Sequence, residues 1–212
     1  MKITKYGHCC LLLEIEGTRI LTDPGIFSTT QNEIKDIDVV VITHDHQDHY
    51  HVDSVKKIIA NNPEVKIITT SFMAGLLDKE NIKNYEIVDE GQSTIQKNIK
   101  IEAYGTKHAQ MHSSIPQTSN TGYFFADTLF YPGDAFTDPK RHIDILALPV
   151  AGPWMKISEA IDYALALKPT KAFAVHDAVM TRPELASNWP NRVLPPNGIE
   201  FLVLEIGKEY DF

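Results

Sequence analysis

The amino-acid sequence predicts an α/β fold in which two β-sheets carry helices on their outer faces. Short apolar or alternating segments dominate the first half of the chain, as expected for strands. Strand–helix–strand units occur in both halves. The chain has 212 residues, of which 43% are hydrophobic and 23% charged, and this composition is typical of a soluble globular protein. We therefore expect a single domain over residues 1–212.

The first third predicts short strands joined by turns. They cover Ile3–Tyr6, Cys9–Ile15, Thr18–Leu21 and the β-branched segment Asp38–Thr43. Glu16–Gly17 suits a hairpin turn, and Asp23-Pro24-Gly25 suits the turn that closes this meander. Because Asp38–Thr43 is short and continuously apolar, it is typical of a strand buried on both faces.

Three segments show helical spacing of apolar residues. Val52–Ala60 is the first, and it ends before Pro63. Ser71–Leu77 is the second, with Ser71 as the expected N-cap. The third begins at Ile157 and is stopped by Pro169.

The remaining apolar segments predict strands. They are Val65–Thr69, Tyr85–Val88, Ile99–Tyr104, Thr121–Ala126, Thr128–Tyr131, Ile143–Leu148, Lys171–Val175 and a final strand at Ile199–Leu204. A turn is expected at Asp127–Thr128. Residues 105–120 have no periodicity and are long for a loop, which favours a functional role for them.

The charge of the chain disfavours two classes of partner. With 28 acidic and 20 basic residues the formal net charge is −8, which repels nucleic acids and anionic membranes. No apolar segment approaches the length of a membrane-spanning helix, and Glu14 and Glu16 interrupt the apolar start. We expect a cytoplasmic protein that acts on a small molecule and binds neither nucleic acid nor membrane. The sequence is compatible with a homo-oligomer.

Cys9 and Cys10 are adjacent, so a disulfide between them would be strained. In a strand their side chains point to opposite faces. We expect both to be buried as small hydrophobic residues, and a thiolate metal ligand is the alternative.

The strongest signal is the segment His44-Asp45-His46-Gln47-Asp48-His49, which follows a predicted buried strand. In extended backbone, His44 and His46 point to the same side and can bind one cation. Asp48 and His49 can turn toward a second cation. Imidazole and carboxylate together suit zinc, manganese or iron, and the end of a strand is where sites form in α/β sheets. We therefore expect a metal site here.

Two further candidates also follow strands. Asp134 follows Tyr131-Pro132-Gly133, and its carboxylate could bridge two cations. His176 follows the strand Lys171–Val175. Alone, Asp134 could be a turn residue and His176 a core histidine, but their recurrence at strand ends favours a shared site.

The loop 105–120 offers His108 or His112 as the remaining ligand. His108 is closer to the end of a predicted strand and is preferred, with His112 as a substrate contact. His8 and Asp23 also lie at strand ends and suit positioning of the ligands. Trp154 and Lys156 follow another strand end and suit a pocket wall, with Lys156 facing the substrate. The alternative for them is an apolar anchor at the start of a helix.

These motifs together resemble the metallo-β-lactamase superfamily of metal-dependent hydrolases. The Gly7-His8 start and the Thr22-Asp23-Pro24-Gly25 turn look most like its ascorbate-6-phosphate-lactonase-like branch. The resemblance implies a four-layer αββα sandwich of two mixed sheets with two metals at one edge. It implies that one set of residues holds the first metal, a second set holds the other, and one residue bridges both. The first set is His44, His46 and His108. The second set is Asp48, His49 and His176, and the bridging residue is Asp134. The two histidines of the Lys107–His112 segment depart from the commonest pattern and leave the choice between His108 and His112 open.

Such a site predicts a binuclear hydrolase in which a metal-bridging hydroxide attacks a small lactone, ester or phosphoester. Asp48 or Asp134 would move the proton. Zinc is the expected metal, with manganese, nickel or iron as alternatives. A di-iron redox protein is a second hypothesis, but the chain leaves no room for the flavin domain this normally needs. A phosphodiesterase or nuclease is a third, and a non-catalytic metal-binding scaffold a fourth. No RNA-binding insertion is visible, and the complete ligand set argues against a scaffold.

Overall fold

Fourteen β-strands form two seven-stranded sheets in the computed structural model, which describes residues 1–212. In spatial order the first sheet contains β14 (Glu209–Asp211), β1 (Lys2–Gly7), β2 (Cys10–Ile15), β3 (Thr18–Thr22), β4 (Val39–Val41), β5 (Lys66–Thr69) and β6 (Tyr85–Ile87). The second contains β13 (Glu200–Leu202), β12 (Lys171–Val175), β11 (Ile145–Pro149), β10 (Leu129–Tyr131), β9 (Gly122–Phe125), β8 (Ile99–Tyr104) and β7 (Ser93–Gln96). Each sheet has a parallel and an antiparallel part. The predicted class of two mixed sheets is confirmed.

Four α-helices cover the sheets. They are α1 (Val52–Asn61), α2 (Ser71–Lys79), α3 (Ile157–Leu167) and α4 (Asn188–Val193). Three short 3-10 helices occupy Thr30–Glu33, Pro183–Ser187 and Pro195–Asn197. None of the helices has both the length and the apolar character that crossing a lipid bilayer requires.

Successive side chains of β2 point alternately into two different hydrophobic cores. Leu11 and Leu13 point inward, where they join a cluster of 21 buried residues between the two sheets. Leu12 points outward and packs with Val55 of α1 and Leu77 of α2. The first sheet is therefore buried on both faces, which explains why β4 is continuously apolar.

The second sheet is covered in the same way. Leu146 of β11 and Ala172 of β12 face outward and pack with Ala160 and Ala164 of α3. Small residues on both sides let the helix approach the strands closely. The result is the predicted order of four layers, helix–sheet–sheet–helix.

The expected cap of α2 was wrong by one residue. Thr70 is the N-cap, and its side chain accepts a hydrogen bond from the N–H of Met73. The expected turn at Asp127–Thr128 lies within the observed turn between β9 and β10, whose two central residues, Ala126 and Asp127, have the left-handed conformation.

Three elements lacked a recognisable pattern in the sequence. β7 and β14 are partly exposed edge strands of four and three residues, and α4 lies in a polar segment rich in proline. β14 follows the segment that was expected to be the final strand, and it pairs with β1 in the first sheet. The chain thus ends beside its own beginning.

Candidate metal centre

One edge of the molecule collects the loops that follow six strands. In the first sheet β1, β3 and β4 run in the same direction, and in the second sheet so do β8, β10 and β12. The residues that follow these strands are His8, Asp23, 43–49, 105–120, Asp134 and His176, respectively. Strand direction alone therefore brings the predicted site residues to one edge.

The side chains form two adjoining groups. Potential ligand atoms of His44, His46, His108 and Asp134 all lie within 4.8 Å of one another. A second group, with the same spacing, contains His8, Asp48, His49 and His176. The structure thus brings together every residue that was expected to bind a metal.

Asp134 lies between the two groups. Its Oδ2 is 3.2 Å from His108 Nε2 and 2.8 Å from His176 Nε2, and its Oδ1 is 3.1 Å from His49 Nε2. One carboxylate therefore contacts imidazoles of both groups, which is the position expected of a bridging ligand.

Hydrogen bonds assign the tautomer of two buried histidines. His49 donates its Nδ1–H to Asp23 Oδ2 at 2.7 Å, and His108 donates its Nδ1–H to the carbonyl of Ala109 at 2.6 Å. In the neutral form that binds metal, each Nε2 would carry a lone pair directed toward Asp134. A ligating imidazole is normally fixed in this way by a partner at its other nitrogen.

His44 follows the same rule through Thr43. The Thr43 hydroxyl donates to Asp23 Oδ2 at 2.7 Å, so its oxygen accepts from His44 Nδ1 at 2.9 Å. His44 Nε2 is again left bare on the side of Asp134, 3.9 Å from Oδ2.

Several buried polar atoms of this centre have no partner with the geometry of a hydrogen bond, although some of them lie close to one another. They are His44 Nε2, His49 Nε2, Asp134 Oδ1 and both ring nitrogens of His176. Buried polar atoms are rarely left unpaired. Neutral imidazoles gathered around one carboxylate would offer the donor set that divalent transition metals prefer, so these residues fit such a metal.

Burial and neighbouring charges shift the pKa values of the residues in the centre. Burial lowers the pKa of His44 well below its usual range, which keeps the imidazole in the neutral form that binds metal. Burial opposes the charged form of His176 as well, but the Asp134 carboxylate outweighs it and raises the pKa of His176 to about 10. The pKa of Asp134 is held well below its usual range because the charges of His49 and His176 outweigh the effect of burial. The carboxylates thus attract positive charge to the place where cations would bind.

Asp23 organises the buried side of the centre. It is fully buried, and its Oδ1 accepts the N–H of Thr43 at 2.8 Å. Its Oδ2 accepts from His49, from the Thr43 hydroxyl and from the hydroxyl of Tyr131. Asp23 is thereby a positioning residue, as the sequence suggested. Thr43 and Tyr131 were not anticipated, although each lies within a motif that was identified.

His8 holds the opposite tautomer. Its Nδ1 accepts the N–H of Ala178 at 3.2 Å, so Nε2 carries the proton and donates to Asp48 Oδ2 at 3.1 Å. Burial lowers the pKa of His8 to about 4, which keeps the ring neutral. With its proton on this side, His8 orients Asp48 and has no lone pair left to offer an ion.

Two tight backbone contacts fix the loops around the centre. Gly25 packs against the backbone of Asp48, and a Cβ there would collide with its carbonyl. Gly133 has a φ of +63°, and a Cβ there would collide with the side chain of Asn120. That side chain accepts the N–H of Asp134 at 2.9 Å and donates to the carbonyl of Pro132. Asn120 was not anticipated, because it contacts the motif only in the folded chain.

A cavity of about 420 Å³ opens onto the centre. It is lined by Ile26, Phe27, His46, Gln47, Asp48, His108, Met111, Asp134, Pro153, Trp154, His176 and Val179. Trp154 forms part of the wall, as expected, and its indole N–H donates to Asp134 Oδ2 at 3.1 Å. The tryptophan therefore holds the carboxylate as well as shaping the cavity.

Two expected substrate contacts lie elsewhere. Lys156 is exposed and serves as the N-cap of α3, where its N–H donates to Glu159, so it does not line the cavity. His112 is exposed and forms a hydrogen bond with Ser114 inside its own loop. Of the two histidines in loop 105–120, the structure brings only His108 to the centre.

The two cysteines are both buried and separated by the first sheet. Cys10 packs under α1 and α2, whereas Cys9 joins the cluster between the sheets. The Cys9 sulfur also lies within 4.8 Å of potential ligand atoms of His49 and Asp134.

Comparisons with known proteins find related sequences along most of the chain. Residues 2–176 match the family described as "Beta-lactamase superfamily domain". The chain is 34% identical to "Protein Rv0786c" of Mycobacterium tuberculosis over 96% of each chain. It is 26% identical to a "UPF0173 metal-dependent hydrolase" of Carboxydothermus hydrogenoformans, with 83% of this chain and 84% of the other covered.

A solved structure shares the fold. Igni18, a metallo hydrolase from Ignicoccus hospitalis, superposes with a TM-score of 0.79 at 20% identity, covering 100% of this chain and 98% of the other.

Proposed function

This chain belongs to the metallo-β-lactamase superfamily, among its metal-dependent hydrolases, and on that premise we propose that it is a binuclear hydrolase of a small lactone, ester or phosphoester. The observation that carries the proposal is the position of Asp134, which contacts imidazoles of both groups while buried ring nitrogens around it lack partners.

The first ion would be held by His44, His46 and His108, with Asp134 shared. The second would be held by Asp48, His49 and His176. Support for the first set comes from the bare Nε2 atoms of His44 and His108. We favour zinc because neutral imidazole and carboxylate ligands suit it, and manganese, nickel or iron would accept the same donors.

Two ions in these positions would lower the pKa of a bound water and polarise the oxygen of the scissile group. Asp134 and all the candidate histidine ligands except the half-buried His46 are buried, so their part is to hold charge in fixed positions. Asp48 is the carboxylate that remains partly exposed, at 20% of its side chain.

We assign proton transfer to Asp48. His8 and His176 approach its Oδ2, at 3.1 and 3.4 Å, so Oδ2 is the oxygen that would face the second ion. Oδ1 is left to take the proton of the attacking water and return it to the leaving group. His8 keeps that carboxylate oriented through its own hydrogen bond to Ala178.

Metal content and a substrate panel test the proposal together. Protein purified without a histidine tag, in buffer supplemented with zinc, manganese or iron, should contain about two transition-metal ions per chain by elemental analysis. The panel should include a lactone, a carboxylic ester and a phosphodiester, with EDTA-treated protein as the control. Absence of bound metal, or oxygen consumption by the iron form without hydrolysis, would overturn the proposal.

A further inference from the structure

Apart from the candidate ligands, the residues that line the cavity beside the centre are mostly apolar. Among its lining residues, the side chains that are not candidate ligands are Ile26, Phe27, Met111, Pro153, Trp154, Val179 and one polar residue, Gln47. Neither lysine nor arginine lines it. The wall thus lacks a cation that could recognise a phosphate or carboxylate away from the reacting bond.

The apolar side chains at the mouth are exposed to water. Phe27 is 48% exposed and Val179 is 41% exposed, and they lie in the same cavity wall. Exposed apolar side chains that adjoin one another are uncommon on a monomer unless they bind something. Their exposure is explained if a substrate covers them.

The rings of this wall are held in place by the centre itself. Phe27 packs edge-on against His8, with ring centroids 5.1 Å apart. Trp154 packs edge-on against His108 and His176, each at 5.8 Å, and its indole N–H is engaged by Asp134. The apolar wall is therefore fixed relative to the reacting atoms, and Trp154 offers no free donor to a polar substrate.

We infer that the substrate carries an uncharged alkyl or aryl group next to the scissile bond, and that Phe27 and Val179 select it. This inference rests on the proposed function. It narrows the substrates to esters and lactones that carry no anionic group away from the scissile bond. Ester hydrolysis adds water to the carbonyl carbon and breaks the acyl–oxygen bond, which releases an acid and an alcohol. The acyl substituent would lie along the wall, and a cavity of about 420 Å³ suits a small substrate.

A matched series of p-nitrophenyl esters tests the inference on the zinc-loaded protein. From acetate to butyrate to hexanoate, kcat/KM should rise about fourfold per methylene until the cavity is filled. The hemisuccinate ester resembles the butyrate in size but ends in a carboxylate. Its kcat/KM should be at least about tenfold lower, because the apolar wall would strip water from the charge without pairing it.

Two variants with matched controls locate the effect. Phe27→Ala should flatten the dependence on acyl length, whereas Phe72→Ala should leave it intact, since Phe72 is equally exposed (49%) but lies on α2. Val179→Lys should raise the hemisuccinate-to-butyrate ratio of kcat/KM by about tenfold, whereas Val203→Lys should not.

The outcomes separate the two proposals. If the metal-loaded protein hydrolyses no ester, lactone or phosphodiester, the proposed function fails. If it hydrolyses only the phosphodiester, the proposed function stands and the inference about the substrate is overturned. If it hydrolyses the hemisuccinate as fast as the butyrate, or if Phe27→Ala keeps the full dependence on acyl length, only the inference about the substrate is overturned.

Discussion

The buried floor of the centre and its open mouth are built in different ways. The floor consists of His44, His49, Asp23 and their partners, which lie in the segments after β3 and β4 and are linked by hydrogen bonds of 2.7–2.9 Å. The mouth consists of loop side chains such as Phe27 and Val179, which make apolar contacts and face water. The floor fixes the positions of the charged groups. The side chains of the mouth can change without disturbing those groups, and they would contact the substrate. Substitutions in the floor should therefore change metal binding, whereas substitutions in the mouth should change substrate preference.

Asp134→Asn should have the largest effect on catalysis. The change removes a negative charge from between the two groups of ligands, so we expect kcat to fall by at least about 100-fold while KM changes little. Steady-state kinetics with measured metal content checks this. Asp138→Asn is the control, because Asp138 is an exposed residue four positions on. An unchanged kcat in Asp134→Asn would show that this residue only shapes the turn.

Loop 105–120 contains one histidine at the centre and one that points away from it, and the two should behave differently. His108→Ala should reduce the metal content by about one ion per chain, because the buried Nε2 is a candidate ligand. His112→Ala should keep both ions, since that imidazole is exposed and bonded to Ser114. Zinc titration of both variants decides it. Loss of metal in His112→Ala alone would reverse the assignment.

The candidate ligands were predictable because they lie in short motifs at strand ends. The spacing of His44, His46 and His49 indicates chemistry without knowledge of the fold. The contacts behind them were not predictable, because they join distant parts of the chain. Tyr131 and Asp23 are 108 residues apart in sequence, and nothing local marks them as partners. Lys156 was expected to face the substrate for the same reason. Its position after a strand does not reveal that it is the N-cap of α3.

The fold shows the same division. Two apolar strands, Ile99–Tyr104 and Lys171–Val175, were predicted with the bounds that the structure has, and the ends of the other predicted strands lie within two residues of the observed ones. β14 has only three residues, Glu-Tyr-Asp, and exists because it pairs with β1. Local patterns thus predict elements that bury a face, and they miss elements whose stability comes from a distant neighbour.

Asp23→Asn should weaken metal binding without removing a candidate ligand. An amide can accept fewer of the hydrogen bonds that converge on Oδ2 and no longer supports the His49 tautomer, so we expect zinc affinity to fall about 10- to 100-fold. Competition with a chromophoric chelator measures it. Asp36→Asn is a matched control, because Asp36 also has a positive φ but is exposed. Equal zinc affinity in both variants would show that Asp23 does not position the metal ligands.

The smallest effect, and the finest test of the floor, comes from two buried tyrosines. Tyr131 and Tyr123 are opposite each other in neighbouring strands, and both are fully buried. The Tyr131 hydroxyl donates to Asp23, whereas the Tyr123 hydroxyl has no partner. Burial, together with the charge of Asp23, raises the pKa of Tyr131 well above its usual value, so its phenol stays protonated as a donor.

Tyr131→Phe should therefore lower the free energy of unfolding of the metal-free protein by about 1.5–3 kcal/mol, the usual contribution of a hydrogen bond to a charged group. Tyr123→Phe should be neutral or slightly stabilising, since it removes a buried hydroxyl that nothing satisfies. Zinc affinity should fall less than about tenfold in Tyr131→Phe, because Thr43 and His49 still hold Asp23. Urea denaturation of both EDTA-treated variants makes the comparison. If the two substitutions cost the same, the hydrogen bond from Tyr131 to Asp23 adds nothing to stability, and Asp23 would be held by Thr43 and His49 alone.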